Sequence, residues 1–312
     1  MRVDEVFKQA ASQGTAPVSF EMFPPKGELT LNTAREVAGN LCKLSPSFVS
    51  VTCSAGGSGN GATTAPIAHM ITSEFDTPSV AHLTCVGRSH ADIVAKIDEY
   101  RSAGVENILA LRGDLPTGAT EDDKPASDYA YARDLIPELV DAGFCVGAAA
   151  YPEGHIACRS LEADISFLKQ KQDEGADYIM TQLCWDMDQF RYWMDAIRAA
   201  GIWLPVDVGI MPVLDAAATI NMALSRNGCV MSRDLCEIIS KNWIFPNPFA
   251  PNESEESIAA KKASFKEAGI EYTIKLIDEY RVCGINGIHL YALNKYDDVA
   301  RIVKESGIVD LI

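Results

Sequence analysis

Eight short apolar runs recur along the chain, separated by longer stretches in which apolar residues return every three or four positions. The runs are Val18–Phe23, Phe48–Cys53, Val80–Val86, Asn107–Arg112, Cys145–Tyr151, Tyr178–Trp185, Pro205–Val213 and Gly287–Asn294. Most are nearly continuous in apolar character, as expected of parallel strands covered on both faces. The stretches between them read as amphipathic helices. "ADIVAKIDEYRSAG" (91–104) puts Ile93, Ile97 and Tyr100 on one face and ends at Gly104, a C-cap candidate. "SLEADISFLKQKQDEG" (160–175) and "DMDQFRYWMDAIRAAG" (186–201) repeat the plan of a capping residue, a periodic body and a terminal glycine.

After the seventh run the helical part lengthens. It covers Asp215–Asn227, Ser232–Lys241 and Ser257–Cys283, interrupted by "FPNPFAPNES" (245–254), and a last helix spans Asp297–Ser306. Eight strand–helix units predict a (β/α)8 TIM barrel, an α/β fold, formed as one catalytic domain over 1–312 with extra helices near the C-terminus. The competing architecture is a doubly wound open sheet, which usually carries G-x-G-x-x-G after its first strand. Here the first strand runs into "FPPKGE", and the glycine-rich "SAGGSGNGA" (54–62) lacks that spacing and reads as a flexible loop.

Composition narrows the picture. The 27 basic and 43 acidic residues leave a net charge of −16, which disfavours nucleic acid and anionic membranes as partners. No apolar stretch is long enough to span a bilayer, and "MRVDEVFKQAASQG" lacks the apolar core of a signal peptide. The expected compartment is the cytoplasm. Nine scattered cysteines without a C-x-x-C pair read as free thiols, so no metal site is expected.

In a barrel, chemistry gathers where strands run into the following loops. Those positions are rich in polar groups: Glu21, Thr52, His82, Thr84, Arg112, Asp114, Tyr151, Glu153, His155, Thr181, Gln182, His289, Tyr291, Asn294 and Lys295. Glu21, in "VSFEMFPPK", is the oddest, because a carboxylate inside an apolar strand needs either water or a task. Plainer readings exist. Glu21 could face solvent, Arg112 and Asp114 could pair in a turn, the histidines could be hydrogen-bonded core residues, and Asp186 could cap a helix. Against them stands convergence: an accidental cluster of these groups at one barrel mouth would carry a large desolvation cost.

No nucleophile elbow supports acyl transfer. The Glu21–Asp114 pair could suggest glycoside hydrolysis, but the strand ends offer few aromatics for sugar stacking. Taken in order, "SFEMFPPK", "HLTC", "LALRGD", "YPEGH", "TQLCWD", "GIMPV" and "HLYALNK" resemble the motifs of bacterial-type, flavin-dependent methylenetetrahydrofolate reductases, over residues 18 to 295.

The resemblance implies a (β/α)8 flavoenzyme of one-carbon metabolism and methionine biosynthesis, an oxidoreductase acting on a CH–NH bond. It would reduce 5,10-methylenetetrahydrofolate to 5-methyltetrahydrofolate by hydride transfer from FAD. Glu21 matches the general acid that protonates N10 and opens the imidazolidine ring; an acid in a partly apolar site can hold that proton until it is needed. Asp114 matches a carboxylate beside flavin and pterin that stabilises the resulting cation. Thr52, His82, Arg112, Gly113, Tyr151, His155, Asp164 and Lys171 match cofactor-binding positions, with Asp164 at the ribose and Lys171 at the pyrophosphate. Gln182, Met222 and Lys295 match substrate-binding positions, Lys295 standing where Arg is usual.

The chain also departs from the resembling motifs. It reads "TCSAGG" for "TYGAGG", carries Phe167 and Gln170 where Asn and Arg are frequent, and has Met222 and Ala218 where an aromatic and a glutamine align. These departures leave FMN as an alternative to FAD, and NAD(P)H or an electron-donor protein such as ferredoxin as the source of electrons. A homo-oligomer is expected from the resemblance. The other readings kept are a proline-dehydrogenase-like flavin barrel and a folate-binding subunit that depends on a partner.

Overall fold

Eight parallel strands close on themselves in the order β1 to β8, each bonded to its neighbours in sequence and β1 to β8. They are β1 Val18–Met22, β2 Phe48–Val51, β3 Ser79–Thr84, β4 Asn107–Leu111, β5 Cys145–Ala150, β6 Tyr178–Thr181, β7 Val206–Ile210 and β8 Gly287–Tyr291. The computed structural model describes residues 1–24, 31–53, 63–115, 126–225, 229–242, 253–293 and 295–308. The glycine-rich stretch 54–62, most of 245–254 and Asn294 lie outside these residues.

The expected TIM barrel is the observed fold, and each predicted strand is present. All eight predicted runs reach beyond the ladder at their C-terminal ends, by four residues in β6. The reason is that Leu183, Cys184 and Trp185 are as buried as strand residues although they have left the ladder. Apolar character reports burial, not pairing.

Around the barrel lie α1 Val3–Gln13, α2 Leu31–Cys42, α3 Thr64–Phe75, α4 His90–Ser102, α5 Ala132–Asp141, α6 Leu161–Asp173, α7 Met187–Ala199, α8 Ala216–Ala223, α9 Arg233–Lys241, α10 Glu255–Arg281 and α11 Tyr296–Ser306. Side-chain caps fix several starts: Ser160 Oγ accepts from Ala163 N at 3.2 Å, and Asp186 Oδ1 accepts from Asp188 N and Gln189 N at 3.0 and 3.1 Å. The capping role anticipated for Asp186 is therefore its observed one.

Strand alternation divides the apolar residues in two. Outward residues such as Phe20, Met22, Val49 and Leu83 pack under the helices in the main core. Inward residues at the lower end (Phe48, Val80, Leu109, Cys145, Tyr178 and Met180) close the barrel together with Val3 and Phe7 of α1. Phe7 meets Tyr178 with ring centroids 5.7 Å apart. Asn107 ties the plug in place by accepting from Val3 N at 2.8 Å and donating to Ser79 O at 3.0 Å. With the lower end sealed by packing, the open volume is left at the strands' C-terminal ends.

Candidate active site

Two adjoining chambers occupy that end. The inner one, about 1370 Å³ and open to solvent, is lined by residues of all eight strands or the loops that follow them. The outer one, about 940 Å³, lies over β4 and β5 between α5 and α6. Leu111, Arg112, Ala149, Tyr151 and His155 line both and form the shared wall.

The inner chamber answers the question raised by Glu21. Register pairs Glu21 with Ser50 on β2 and Tyr291 on β8, and alternation turns its side chain inward. Its side chain is only 12% exposed, and its Oε2 lies 3.7 Å from His82 Nε2 and 3.8 Å from His289 Nε2. Both distances exceed a hydrogen bond. The plainer reading, a solvent-facing Glu21, is not what the barrel shows.

Behind Glu21 lies a fully buried polar cluster. Ser19 Oγ donates to Asp207 Oδ2 at 3.1 Å and is hydrogen-bonded to His289 Nδ1 at 2.7 Å. Ser50 Oγ lies 3.3 Å from His289 Nε2, and the imidazole stacks on Phe48. With Asp207 ionised, the Ser19 proton is committed to it. His289 Nδ1–H must then be the donor to Ser19, which leaves Nε2 turned toward Ser50 and Glu21. Burial pushes the Asp207 carboxyl up to about 6, opposed by His289 and by the Ser19 hydrogen bond. Burial likewise pushes the His82 imidazole down to about 4, with Glu21 opposing and His289 reinforcing. His82 is therefore neutral at pH 7.

The sequence reading missed Asp207, although the signal was the one that exposed Glu21: a carboxylate inside an apolar run, "PVDVGI". Tyr291 closes the adjacent wall by donating to Thr181 O at 2.9 Å. It fits there because β7 has Gly209, where a Cβ would meet Thr181 O and Tyr291 Oη at 2.2 Å.

The remaining motif residues distribute between the chambers. Thr52, Gly113, Asp114, Gln182 and Met222 line the inner one. Asp114 is exposed at its rim, and Gly113, at φ +90°, makes the turn that brings it there. The Gln182 carboxamide oxygen accepts from Leu183 N at 2.9 Å. Asp164 and Lys171, one turn and three turns into α6, line the outer chamber. Lys171 Nζ donates to Ala149 O at 2.7 Å, and burial pushes its ammonium down to about 8 against the pull of Asp164. Lys295 is the exception: it is exposed before α11 and lines neither chamber. Glu153 lines neither chamber; it accepts from Val230 N, and burial pushes its carboxyl up to about 7.

Phe167 and Gln170 now have a context. Gln170 Oε1 accepts from Arg133 Nη1 at 3.0 Å, so α5 supplies a cation beside the position where α6 lacks one. The outer chamber thus carries Arg112, Arg133 and Lys171, a set suited to phosphate groups. In the inner chamber Thr52 Oγ1 and His82 Nε2 are buried without hydrogen-bond partners among the described residues. Orphaned polar atoms beside an apolar wall fit a planar ring system with donors and acceptors on its edge. Together the chambers fit a flavin carrying a phosphate-bearing tail. No group of His, Cys, Asp and Glu suited to a metal occurs among the described residues.

Comparison with known proteins agrees with this geometry. A family model described as methylenetetrahydrofolate reductase matches residues 6–307. Methylenetetrahydrofolate reductase 1 of Schizosaccharomyces pombe is 31% identical over 299 residues, covering 94% of this chain and 46% of that protein. Methylenetetrahydrofolate reductase (NADH) 1 of Arabidopsis thaliana is 30% identical, covering 99% and 51%. The 5,10-methylenetetrahydrofolate reductase of Escherichia coli is 36% identical over 204 residues, covering 65% and 67%. The chain spans about half the length of the fungal and plant relatives. A solved structure of an uncharacterized Clostridium thermocellum protein, described as binding two copies of 5-methyl-5,6,7,8-tetrahydrofolic acid, shares the fold. Its TM-score is 0.58 at 13% identity, with 98% of this chain and 99% of that one covered.

Proposed function

Because the chain belongs to the methylenetetrahydrofolate reductase family, we propose that it reduces 5,10-methylenetetrahydrofolate to 5-methyltetrahydrofolate with a flavin held across its two chambers. The observation that carries the proposal is the inward-facing, half-buried Glu21 carboxyl, lining a large cavity with His82 and His289 behind it.

The substrate's one-carbon unit bridges N5 and N10 in a saturated five-membered ring, and carbon becomes electrophilic only when the C–N10 bond breaks. Breaking it requires a proton on N10. Glu21 would deliver it: it stands in the inner chamber, and the neutral His82 beside it offers no competing cation. The buried Asp207–Ser19–His289 cluster holds the imidazole at a fixed distance from Glu21 and so fixes the polar surroundings of the acid. Once the ring opens, N5 carries positive charge, and Asp114 at the rim supplies a carboxylate to stabilise it. Gln182, whose carboxamide oxygen accepts from Leu183 N, lines the same chamber and would orient the pterin.

When bound, a reduced flavin would supply the hydride. Thr52, His82, Gly113, Tyr151 and His155 would hold its ring system, and Arg112, Asp164 and Lys171 its tail. Lys295, outside the chambers, would meet the substrate's glutamate tail as a point charge. The Arabidopsis relative is named as an NADH enzyme, and NADH is the first donor to test, followed by NADPH and reduced ferredoxin. Both binding and chemistry would reside in this one barrel.

The test is an anaerobic half-reaction. Purified protein loaded with flavin is reduced, then mixed with 5,10-methylenetetrahydrofolate while the flavin absorbance is followed. Reoxidation with formation of 5-methyltetrahydrofolate is the expected result. Reduction of the oxidised flavin by proline, without reoxidation by the folate, would replace this reading with a proline-dehydrogenase-like one.

A further inference from the structure

The turn that leaves β5 carries an acid that the folate chemistry leaves unused. Tyr151 and His155 stand at its two ends, their rings edge to face with centroids 4.7 Å apart, in the wall that both chambers share. Between them the chain folds back tightly, with Gly154 N donating to Tyr151 O at 2.9 Å. Two contacts reach this turn from other elements. Gln189 Nε2 of α7 donates to Pro152 O at 2.8 Å. Val230 N, in the connection between α8 and α9, donates to both carboxylate oxygens of Glu153, at 3.0 and 3.2 Å.

The second contact costs more than folding gains from it. Glu153 is half-buried, and burial pushes its carboxyl up to about 7 although the Val230 bond opposes the shift. Asp186 repels it, and no cation among the described residues offsets the burial. A neutral side chain in its place would be cheaper for stability. What the contact joins gives it a purpose. Cys229, the residue before Val230, is buried, and its Sγ donates to Leu183 O at 3.7 Å, at the end of β6. Leu183 and its neighbour Gln182 line the inner chamber, and so does Met222 of α8, at the start of the same connection. Walls from β5, β6 and β7 therefore meet at this segment, and Glu153 is the side chain that reaches it from the β5 turn.

We propose that Glu153 is a positioning residue: by clasping the Val230 amide it sets the spacing between the Tyr151–His155 wall and the wall of Gln182 and Met222, the gap that flavin and pterin would share. This rests on the reading of the site as a flavin and folate site and adds to it a residue that touches neither ligand. The clasp needs a hydrogen-bond acceptor at position 153 and a side chain long enough to carry it, and it does not need the charge.

The experiment compares the wild type with Glu153→Ala and Glu153→Gln at two levels. In protein freed of flavin, hydrogen exchange read by mass spectrometry follows the peptide that holds Val230. Exchange there should be about 10-fold faster in Glu153→Ala and within about 2-fold of the wild type in Glu153→Gln. In flavin-loaded, reduced protein, reoxidation is followed against the concentration of 5,10-methylenetetrahydrofolate. Glu153→Ala should raise the half-saturating concentration about 5-fold or more while the limiting rate stays within about 2-fold, and Glu153→Gln should restore the wild-type curve. Unchanged exchange in Glu153→Ala would overturn the clasp. Faster exchange with an unchanged folate curve would leave the contact a structural one and overturn the positioning role, as would a loss that Glu153→Gln does not restore. A wild-type protein that takes up no flavin would overturn the flavin reading instead, and the exchange comparison would still decide the clasp.

Discussion

The two chambers share a wall yet follow different rules. The inner one is built on strands, and a buried, interlocked cluster stands behind its wall: Ser19, Asp207 and His289 are fully inaccessible, and each touches another. The outer one is built on helix faces, and its polar groups are half-buried on long side chains, as Arg133 and Lys171 are. Buried interlocked groups hold a geometry and resist substitution. Half-buried ones on helix faces can be exchanged between helices while the charge at the site is kept, as Gln170 and Arg133 illustrate. A proton must be delivered at one atom, whereas a phosphate tail needs only positive charge nearby, so rigidity is concentrated where the chemistry demands it.

This contrast can be broken from either side. Among changes to the frame, the largest effect is expected at Gly209. A methyl there would collide with backbone at Thr181 and with Tyr291, so Gly209→Ala should cost about 3 kcal/mol or more. Chemical denaturation would show it as a lowered midpoint. A midpoint equal to the wild type's would mean that the inner wall is softer than described.

The buried pair His82 and Asp207 should reveal opposite pH slopes. His82 is held at about 4 against an ordinary 6.5, so the unfolded chain takes up a proton that the native one does not. Its contribution to stability is present at neutral pH and is lost as pH falls from 6.5 toward 4. Asp207 is held at about 6 against an ordinary 3.8, so the native state keeps a proton that the unfolded chain releases. Its contribution is lost as pH rises from 3.8 toward 6. Each is worth at most about 3 kcal/mol, and in the wild type they oppose. In Asp207→Asn, stability should therefore rise between pH 4 and 6.5; in His82→Gln it should fall between pH 4 and 6. Thermal melts across that range would check both, and identical slopes in the two variants would show that the groups are not buried as described.

Lys171→Met sharpens the outer side. Removing a desolvated ammonium relieves a burial cost, so the ligand-free protein should melt no lower than the wild type, while FAD affinity falls about 10- to 100-fold. Fluorescence titration would show this, and unchanged affinity would place the phosphates elsewhere. The smallest effect is expected at Asp186→Ala, which removes the cap of α7 and should cost about 1 kcal/mol without altering flavin affinity.

The same contrast explains what could be read from the chain. Strand residues announce themselves through apolar runs, so the barrel was legible, and a carboxylate within such a run marked Glu21. Asp207 carried the same mark and shows that the signal generalises. The ends of β6 and β7 were not legible, because Leu183, Trp185, Met211 and Val213 are buried outside the ladder. The outer chamber was legible only in part. Asp164 and Lys171 were assigned by resemblance, but Tyr131 and Arg133 belong to a different helix from Phe167 and Gln170. Only packing of α5 against α6 joins them. Lys295 shows the converse: it sits within a motif and yet lies off both walls.

The central claim is that Glu21 delivers the proton that opens the folate ring. Glu21→Gln preserves shape and removes the acid. In an anaerobic stopped-flow comparison, reduction of the variant's flavin by its donor should stay within a few-fold of the wild type. Reoxidation by 5,10-methylenetetrahydrofolate should slow by about 10²- to 10⁴-fold. Reoxidation at the wild-type rate would contradict the account.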